Sequence, residues 1–162
     1  MYLPPTASVG VIHCGINDIN SAFSNAYRPH QIAENVIRCG FKLRERHPLM
    51  SIIIMGIIPA EETFWGRKSR IEQVNSLLKE SCSTHGFQFV EQAGCWSDAN
   101  GDINRSLYFK DGLHLVKKGC TKLAKIYTDA IQEAISSQKP TVTVKLQSTI
   151  LNHQSVPLRS YY

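Results

Sequence analysis

The most constraining feature of this sequence is an apolar run, Ser51 to Ile58, in which apolar and polar residues do not alternate. A strand with one face in water would alternate, because successive side chains point to opposite faces of a sheet. The run therefore predicts a strand that is covered on both faces, which is typical of the parallel sheet of an α/β protein. Pro59 ends the run.

Strand-like and helix-like segments alternate along most of the chain. The other predicted strands are Ser8 to Cys14 and Phe87 to Val90. Apolar residues at helical spacing predict helices at Pro29 to about Arg46, Lys68 to about Thr84, and about Lys117 to Ser136. Strands alternating with helices imply a parallel sheet with helices on both faces, in which the loops after the strands meet at one rim.

The length and the change in composition near the C-terminus divide the chain into two parts. At 162 residues the chain suffices for one domain with an apolar core, which we place at residues 1–138. After Lys139 and Pro140 the sequence becomes a short Thr- and Val-rich run followed by polar residues. We interpret residues 139–162 as a loosely ordered tail.

Charge and cysteine content exclude several classes of function. The net charge of +5 permits weak association with nucleic acid, but the basic residues are scattered in short clusters that suit solvated helix faces. The five cysteines are odd in number and contain no C-x-x-C pair, which argues against a zinc site or a disulfide framework. We therefore expect no cofactor and no metal.

The chain contains neither an apolar run of membrane-spanning length nor a signal sequence at its start. We expect a soluble, intracellular protein without a membrane span.

Three polar residues have the chemistry of an acyl-transfer site. Asn17 follows the first predicted strand, where its amide could donate to the negative charge that develops on a carbonyl oxygen. Asp111 and His114 are separated by two residues, a spacing at which a carboxylate can hold an imidazole in one tautomer and orientation. His114 could then act as general base and later as general acid.

The surroundings of these residues resemble a known family. Val-Ile-His-Cys-Gly-Ile-Asn-Asp-Ile at 11–19 resembles the third signature block of the SGNH (GDSL-like) ester hydrolases, and Phe-Lys-Asp-Gly-Leu-His-Leu at 109–115 resembles the fifth. The sequence around these two blocks is also similar to that of the esterase-like domains of some animal non-LTR retrotransposon proteins. The resemblance implies a three-layer α/β/α sandwich of flavodoxin-like type and a small ester or acylated substrate. It makes Asn17 the oxyanion-hole donor, Asp111 the orienting acid and His114 the base.

The sequence departs from the family pattern at the nucleophile. The family uses a serine in a Gly-Asp-Ser motif after its first strand, and neither this motif nor the second block, with its oxyanion-hole glycine, occurs in the 162 residues. We therefore expect an N-terminally truncated domain. Ser8, Ser21, Ser24, Ser51 and Ser106 are the candidate substitutes, and none lies in a matching strand-to-turn context. Loss of the nucleophile in related hydrolases costs activity on the order of a millionfold, so we expect no turnover by the chain alone.

Truncation would also leave one edge of the sheet without its neighbouring strand. In the family's strand order, the strand at Ser8 to Cys14 lies beside the absent first strand, so its free edge would favour self-association. Two other interpretations stay open. The chain could be part of a complete serine esterase whose N-terminal segment is missing from the sequence, or a non-catalytic interaction or nucleic-acid-associated module derived from a retroelement.

Overall fold

The structure is a computed structural model that describes residues 7–20, 28–62 and 66–138. The proposed tail at 139–162 lies outside these residues. The strands are β1 (Val9–Ile12), β2 (Ser51–Met55) and β3 (Gln88–Val90). The helices are α1 (Ile16–Asn20), α2 (Pro29–Arg46), α3 (Arg67–His85) and α4 (Lys117–Ser137), and two 3₁₀ turns span Ala93–Trp96 and Arg105–Leu107.

The three strands form a parallel sheet in the order β1-β2-β3. Val9 pairs with Ser51 at the amino ends of β1 and β2, and Met55 pairs with Val90 at the carboxyl ends of β2 and β3. The prediction of a parallel sheet is confirmed. Its consequence is that the loops that follow β1, β2 and β3 all leave the sheet at one rim.

Side chains on both faces of β2 are buried, as its unbroken apolar sequence predicts. Ile52 and Ile54 pack into a cluster formed with residues of α2 and α3, whereas Ile53 and Met55 pack against α4. The sheet is therefore the middle of three layers, with α2 and α3 on one face and α4 on the other. This arrangement confirms the predicted α/β/α sandwich.

The strand β2 ends three residues earlier than the apolar run that predicts it. The amide side chain of Asn75 on α3 accepts a hydrogen bond from the N–H of Ile57 at 2.7 Å and donates to its carbonyl at 2.9 Å. Both backbone groups of Ile57 are thereby satisfied by a side chain rather than by a strand. The chain can turn away from the sheet here while it remains buried.

A short helix, for which the sequence analysis gives no prediction, occupies the segment after β1. Ile19 on α1 is fully buried in the cluster between the sheet and α2 and α3, and Ile16 packs against the same cluster. Burial of these two side chains fixes a turn of helix that five residues would not hold in isolation.

The outer edge of β1 is unpaired within the described residues. The N–H of Ser51 donates to the carbonyl of Ser8 at 2.9 Å, so the backbone groups of alternate residues from Ser8 onward face β2. The N–H groups of Val9 and Val11 consequently face away from β2. None of the helices in the described ranges is long and apolar enough to cross a membrane.

A buried and an exposed leucine allow the contribution of core packing to the free energy of unfolding to be measured. Leu78 on α3 is 0% exposed and Leu49 is 95% exposed, so the same Leu→Ala change removes buried packing at one position only. We expect Leu78→Ala to lower the free energy of unfolding by about 3 kcal/mol and Leu49→Ala to change it by less than about 0.5 kcal/mol. Urea denaturation measures both, and equal effects would show that the cluster is not formed as described.

Candidate active site

A narrow hairpin between the second 3₁₀ turn and α4 carries Asp111 and His114. Tyr108 and Leu115 form an antiparallel bridge. It is flanked by hydrogen bonds from the N–H of Val116 to the carbonyl of Leu107 at 3.0 Å and from the N–H of Phe109 to the carbonyl of His114 at 2.8 Å. The two hydrogen bonds hold the two arms of the hairpin together and leave residues 110–113 as its tip.

Asp111 and His114 are in contact at this tip. The Nδ1 of His114 lies 2.8 Å from Oδ2 of Asp111, while Oδ1 accepts the N–H groups of Leu113 at 2.9 Å and His114 at 3.0 Å. The prediction that this spacing joins the two side chains is confirmed. Both are accessible, with 73% of the His114 side chain and 50% of the Asp111 side chain exposed.

The hydrogen bonds to Asp111 determine the protonation state of the pair. The bond from His114, followed by the two backbone N–H groups, lowers the pKa of Asp111 to about 2. An ionised carboxylate can only accept, so Nδ1 of His114 carries the proton and Nε2 is the atom that can take up another. Stability from this carboxylate is present above its ordinary pKa of 3.8 and is lost as the pH falls through about 2.

The hairpin is fastened to the loop that follows β2. The N–H of Glu61 donates to the carbonyl of Gly112 at 2.9 Å, and the Tyr108 hydroxyl donates to the carbonyl of Pro59 at 2.7 Å. The carboxylate of Glu61 forms an ion pair with Arg105, at the start of the second 3₁₀ turn. These contacts bring the Asp111–His114 pair to the rim where the carboxyl ends of the strands meet.

Sequence reasoning did not identify Glu61 or Arg105. The backbone of Glu61 is as important here as its carboxylate, since its carbonyl also accepts a hydrogen bond from the guanidinium of Arg67 at 2.8 Å. A backbone contact leaves no mark on the amino-acid sequence. The one available signal was Gly112, because a glycine between two functional residues suggests a position that a side chain would obstruct.

Asn17 lies at the same rim, in the first turn of α1, and is exposed. Gly15, with a φ of +114°, makes the turn from β1 into α1. Ile16, next to Asn17, and Leu113, next to His114, pack against the same buried cluster. The structure therefore places Asn17 at the carboxyl rim of the sheet, in the helical turn that follows β1.

The described serines do not provide a partner for His114. Ser8 and Ser51 lie at the amino ends of β1 and β2, which is the opposite rim. The hydroxyl of Ser106 donates to the side chain of Asn104 at 2.7 Å and lies 3.4 Å from the Nζ of Lys118. Ser21 and Ser24 lie outside the described residues.

His13, the last residue but one of the first predicted strand, belongs to the packing of the fold. Its Nδ1 lies 2.5 Å from the hydroxyl of Tyr127 on α4, and burial lowers its pKa. Its Nε2 lies 3.4 Å from the side-chain amide of Gln92, which donates to the carbonyl of Gly56. These contacts link the ends of all three strands to α4.

Among the described residues, the hairpin tip neither holds a metal-binding cluster nor lines the cavity beside α3. No group of three or more histidine, cysteine or acidic side chains that could hold a metal ion occurs within the described ranges. A cavity of about 910 Å³ opens between α3 and residues 91–105, and Glu61 and Arg105 form part of its wall. The ion pair of Glu61 and Arg105 thus borders the cavity, while Asp111 and His114 do not.

Gly112 offers a direct test of how the hairpin is held. Its φ is +61°, and a Cβ added there would collide with Cβ of Glu61, whereas Gly101, with a φ of +82°, has open space around it. We expect Gly101→Ala to cost about 1 kcal/mol of unfolding free energy from the backbone conformation alone. Gly112→Ala should cost about 2–4 kcal/mol, because the Glu61 contact must also give way. Equal losses in urea denaturation would contradict the close contact.

No protein-family model matches the chain, and no curated protein matches it. Several solved structures are similar to this chain. A GDSL-like lipase from Bacteroides thetaiotaomicron matches with a TM-score of 0.61 and 22% identity, over 78% of this chain and 63% of that one. The lipase/acylhydrolase from Enterococcus faecalis gives 0.60 and 19%, over 76% and 60%.

The esterase domain of the ORF1 protein from the zebrafish ZfL2-1 retrotransposon matches as well, with a TM-score of 0.55 and 22% identity, over 75% of this chain and 66% of that one. The chain therefore spans less than two thirds of the length of each of these structures. Their shared architecture agrees with the parallel sheet and the helix layers described above. This chain has the fold of the SGNH, or GDSL-like, hydrolases.

Proposed function

We propose that this chain supplies the base and the oxyanion-binding side of an ester hydrolase site, with His114 as general base, Asp111 as its orienting carboxylate and Asn17 as a donor to the oxyanion. The observation that carries the proposal is the hydrogen bond of 2.8 Å between Nδ1 of His114 and Asp111. It leaves Nε2, on an exposed side chain, as the proton acceptor.

The chemistry follows from this arrangement once a serine hydroxyl lies beside Nε2. His114 takes the hydroxyl proton as the serine oxygen attacks the ester carbonyl, and it returns that proton to the departing alcohol. Asp111 stays ionised and stabilises the imidazolium that forms between these steps. The amide of Asn17 donates to the carbonyl oxygen while it carries negative charge. Water repeats the sequence on the acyl-serine and releases the acid.

The serine is the part of this mechanism that the described residues do not supply. Ser8, Ser51 and Ser106 make no hydrogen bond to His114 in the described part of the chain. The proposal therefore assigns the nucleophile to a Gly-Asp-Ser segment outside the 162 residues, paired with the free edge of β1. In that position the serine would emerge at the carboxyl rim, beside Asn17 and the hairpin tip.

An ester-hydrolysis assay tests the proposal. We expect the 162-residue chain to leave p-nitrophenyl butyrate at its background rate, and a form extended at the amino end by a Gly-Asp-Ser strand to turn it over. In the extended form, His114→Ala should lower kcat by roughly 10⁵-fold or more, and Asp111→Asn by about 10⁴-fold, because the imidazole loses its required tautomer.

His30→Ala is the matched control for this series, because His30 is an exposed histidine on α2 and should have no effect. Activity of the extended form that survives His114→Ala would refute the assignment of the base. Turnover by the unextended chain that is lost in His114→Ala would show instead that one of its own residues acts as nucleophile.

A second proposal, self-association, rests on the free edge of β1. The N–H groups of Val9 and Val11 face outward, and no proline, lysine or glutamate blunts this strand, which reads Val-Gly-Val-Ile. Such an edge pairs with a strand of another molecule. No described strand pairs with this edge, so we propose that it pairs with the same edge of a second copy.

Size-exclusion chromatography with light scattering over a dilution series tests self-association. We expect dimers or larger species that dissociate on dilution. Val9→Pro should shift the equilibrium to monomer, because proline at the first residue of β1 removes an outward N–H without breaking the pairing with β2. A chain that is monomeric at every concentration would rule out association through this edge.

A further inference from the structure

Arg67, the first residue of α3, is a buried cation at a position that does not favour one. It is 6% exposed, and the first turn of its helix contains no acidic residue. The amino end of a helix carries a partial positive charge, and a charge that leaves water loses its hydration. Such a residue breaks a local rule of helix stability, as residues at functional sites often do.

The carboxylate of Glu62 compensates part of this cost. It accepts the backbone N–H groups of Arg67 at 3.0 Å and Lys68 at 2.7 Å. Burial lowers the pKa of Arg67, and the charge of Glu62 opposes that effect. Glu62 is itself exposed, so the loss of the guanidinium would not leave a buried, unpaired carboxylate. The stability of the fold therefore depends little on the charge of Arg67.

The side chain of Arg67 is connected to the hairpin tip through a single residue. Its guanidinium donates to the carbonyl of Glu61 at 2.8 Å, and the N–H of Glu61 donates to the carbonyl of Gly112 at 2.9 Å. Gly112 lies between Asp111 and His114 in the chain. Two successive hydrogen bonds thus join the start of α3 to the Asp111–His114 pair.

A second guanidinium also contacts Glu61, but it is exposed and binds the side chain. Arg105 pairs with the carboxylate of Glu61, and 58% of the Arg105 side chain is exposed. An exposed ion pair contributes little, because solvent screens it and both side chains lose rotamer freedom. A charged donor shielded from water forms the stronger hydrogen bond. Arg67 is therefore the arginine that fixes the backbone of Glu61.

We propose that Arg67 is a positioning residue for the Asp111–His114 pair, because it holds the backbone of Glu61 and thereby the carbonyl of Gly112. This inference rests on the proposed function, in which His114 is the base. Loss of the guanidinium loosens the hairpin tip and leaves the fold almost unchanged. Glu61 borders a cavity that is open to solvent, so water can replace the guanidinium at its carbonyl.

NMR of the 162-residue chain tests the inference without any esterase activity. In Arg67→Met, which removes the donor and keeps an unbranched apolar side chain, the amide of Glu61 should exchange with solvent about tenfold faster. The pKa of Asp111, which the hydrogen bond from His114 and two backbone N–H groups lower to about 2, should rise toward its ordinary 3.8. The urea midpoint should fall far less than in Leu78→Ala.

Two further variants separate the hydrogen bond from the charge. Arg67→Lys keeps the charge and a donor, so its Glu61 exchange rate should lie between those of the original chain and Arg67→Met. Arg70→Met removes an exposed charge three residues along α3 and should leave both the exchange rate and the pKa of Asp111 unchanged. Equal effects of Arg70→Met and Arg67→Met would assign the result to charge alone and overturn the inference.

Other outcomes are equally decisive. Unchanged exchange of Glu61 and an unchanged pKa of Asp111 in Arg67→Met would overturn the inference. A loss of stability as large as that of Leu78→Ala, or a failure to fold, would also overturn it, because Arg67 would then hold the fold rather than the hairpin tip.

Kinetics of the extended form add a second readout. Arg67→Met should lower kcat about tenfold and leave KM unchanged, since it displaces the base without altering the contacts to substrate. An unaltered kcat in a working extended form would contradict the positioning role. If the extended form is inactive, the proposed function fails, and the NMR results on the 162-residue chain still decide the inference.

Discussion

The burial of β2 on both faces is the constraint on which the rest of this structure depends. Ile53 and Ile54 are each 0% exposed, although they project to opposite sides of the sheet. A strand in this state requires one layer of helices above and another below. The neighbours of β2 are parallel and are joined to it by helical crossovers, which is why the loops after the strands come together at a single rim.

The loop after β2 connects the buried sheet to the candidate site through hydrogen bonds to the hairpin. Asn75 holds the backbone of Ile57 at the end of the strand, and a few residues later Pro59 and Glu61 receive and donate the hydrogen bonds that anchor the hairpin. Asp111 and His114 are thus exposed to solvent while their backbone is tied to the core. The proposed role of the pair in catalysis requires both properties, since the side chains must reach substrate and their geometry must stay fixed.

The same hairpin divides its side chains between a buried face and an exposed face. Tyr108 and Leu115 face inward and pack, whereas Phe109 and His114 face outward. Because a ladder alternates its faces, a short segment can be anchored by one set of residues and carry a reactive site on the other.

Some features of this protein follow from its sequence alone, and others depend on its tertiary structure. The amino-acid sequence alone predicted the strand and helix order, the burial of β2 and the contact between Asp111 and His114, because each depends on the spacing of residues that are close in the chain. It did not predict α1, which exists because Ile16 and Ile19 find a core to enter.

Nor did the sequence predict the hydrogen bonds of Pro59 and Glu61 to the hairpin, which join Pro59 to Tyr108 and Glu61 to Gly112 across 49 and 51 positions in the chain. Those contacts use backbone carbonyls and N–H groups, which nearly every residue possesses, so no residue type marks them in advance. Only the parallel sheet, by gathering distant loops at one rim, decided which of these common groups would meet.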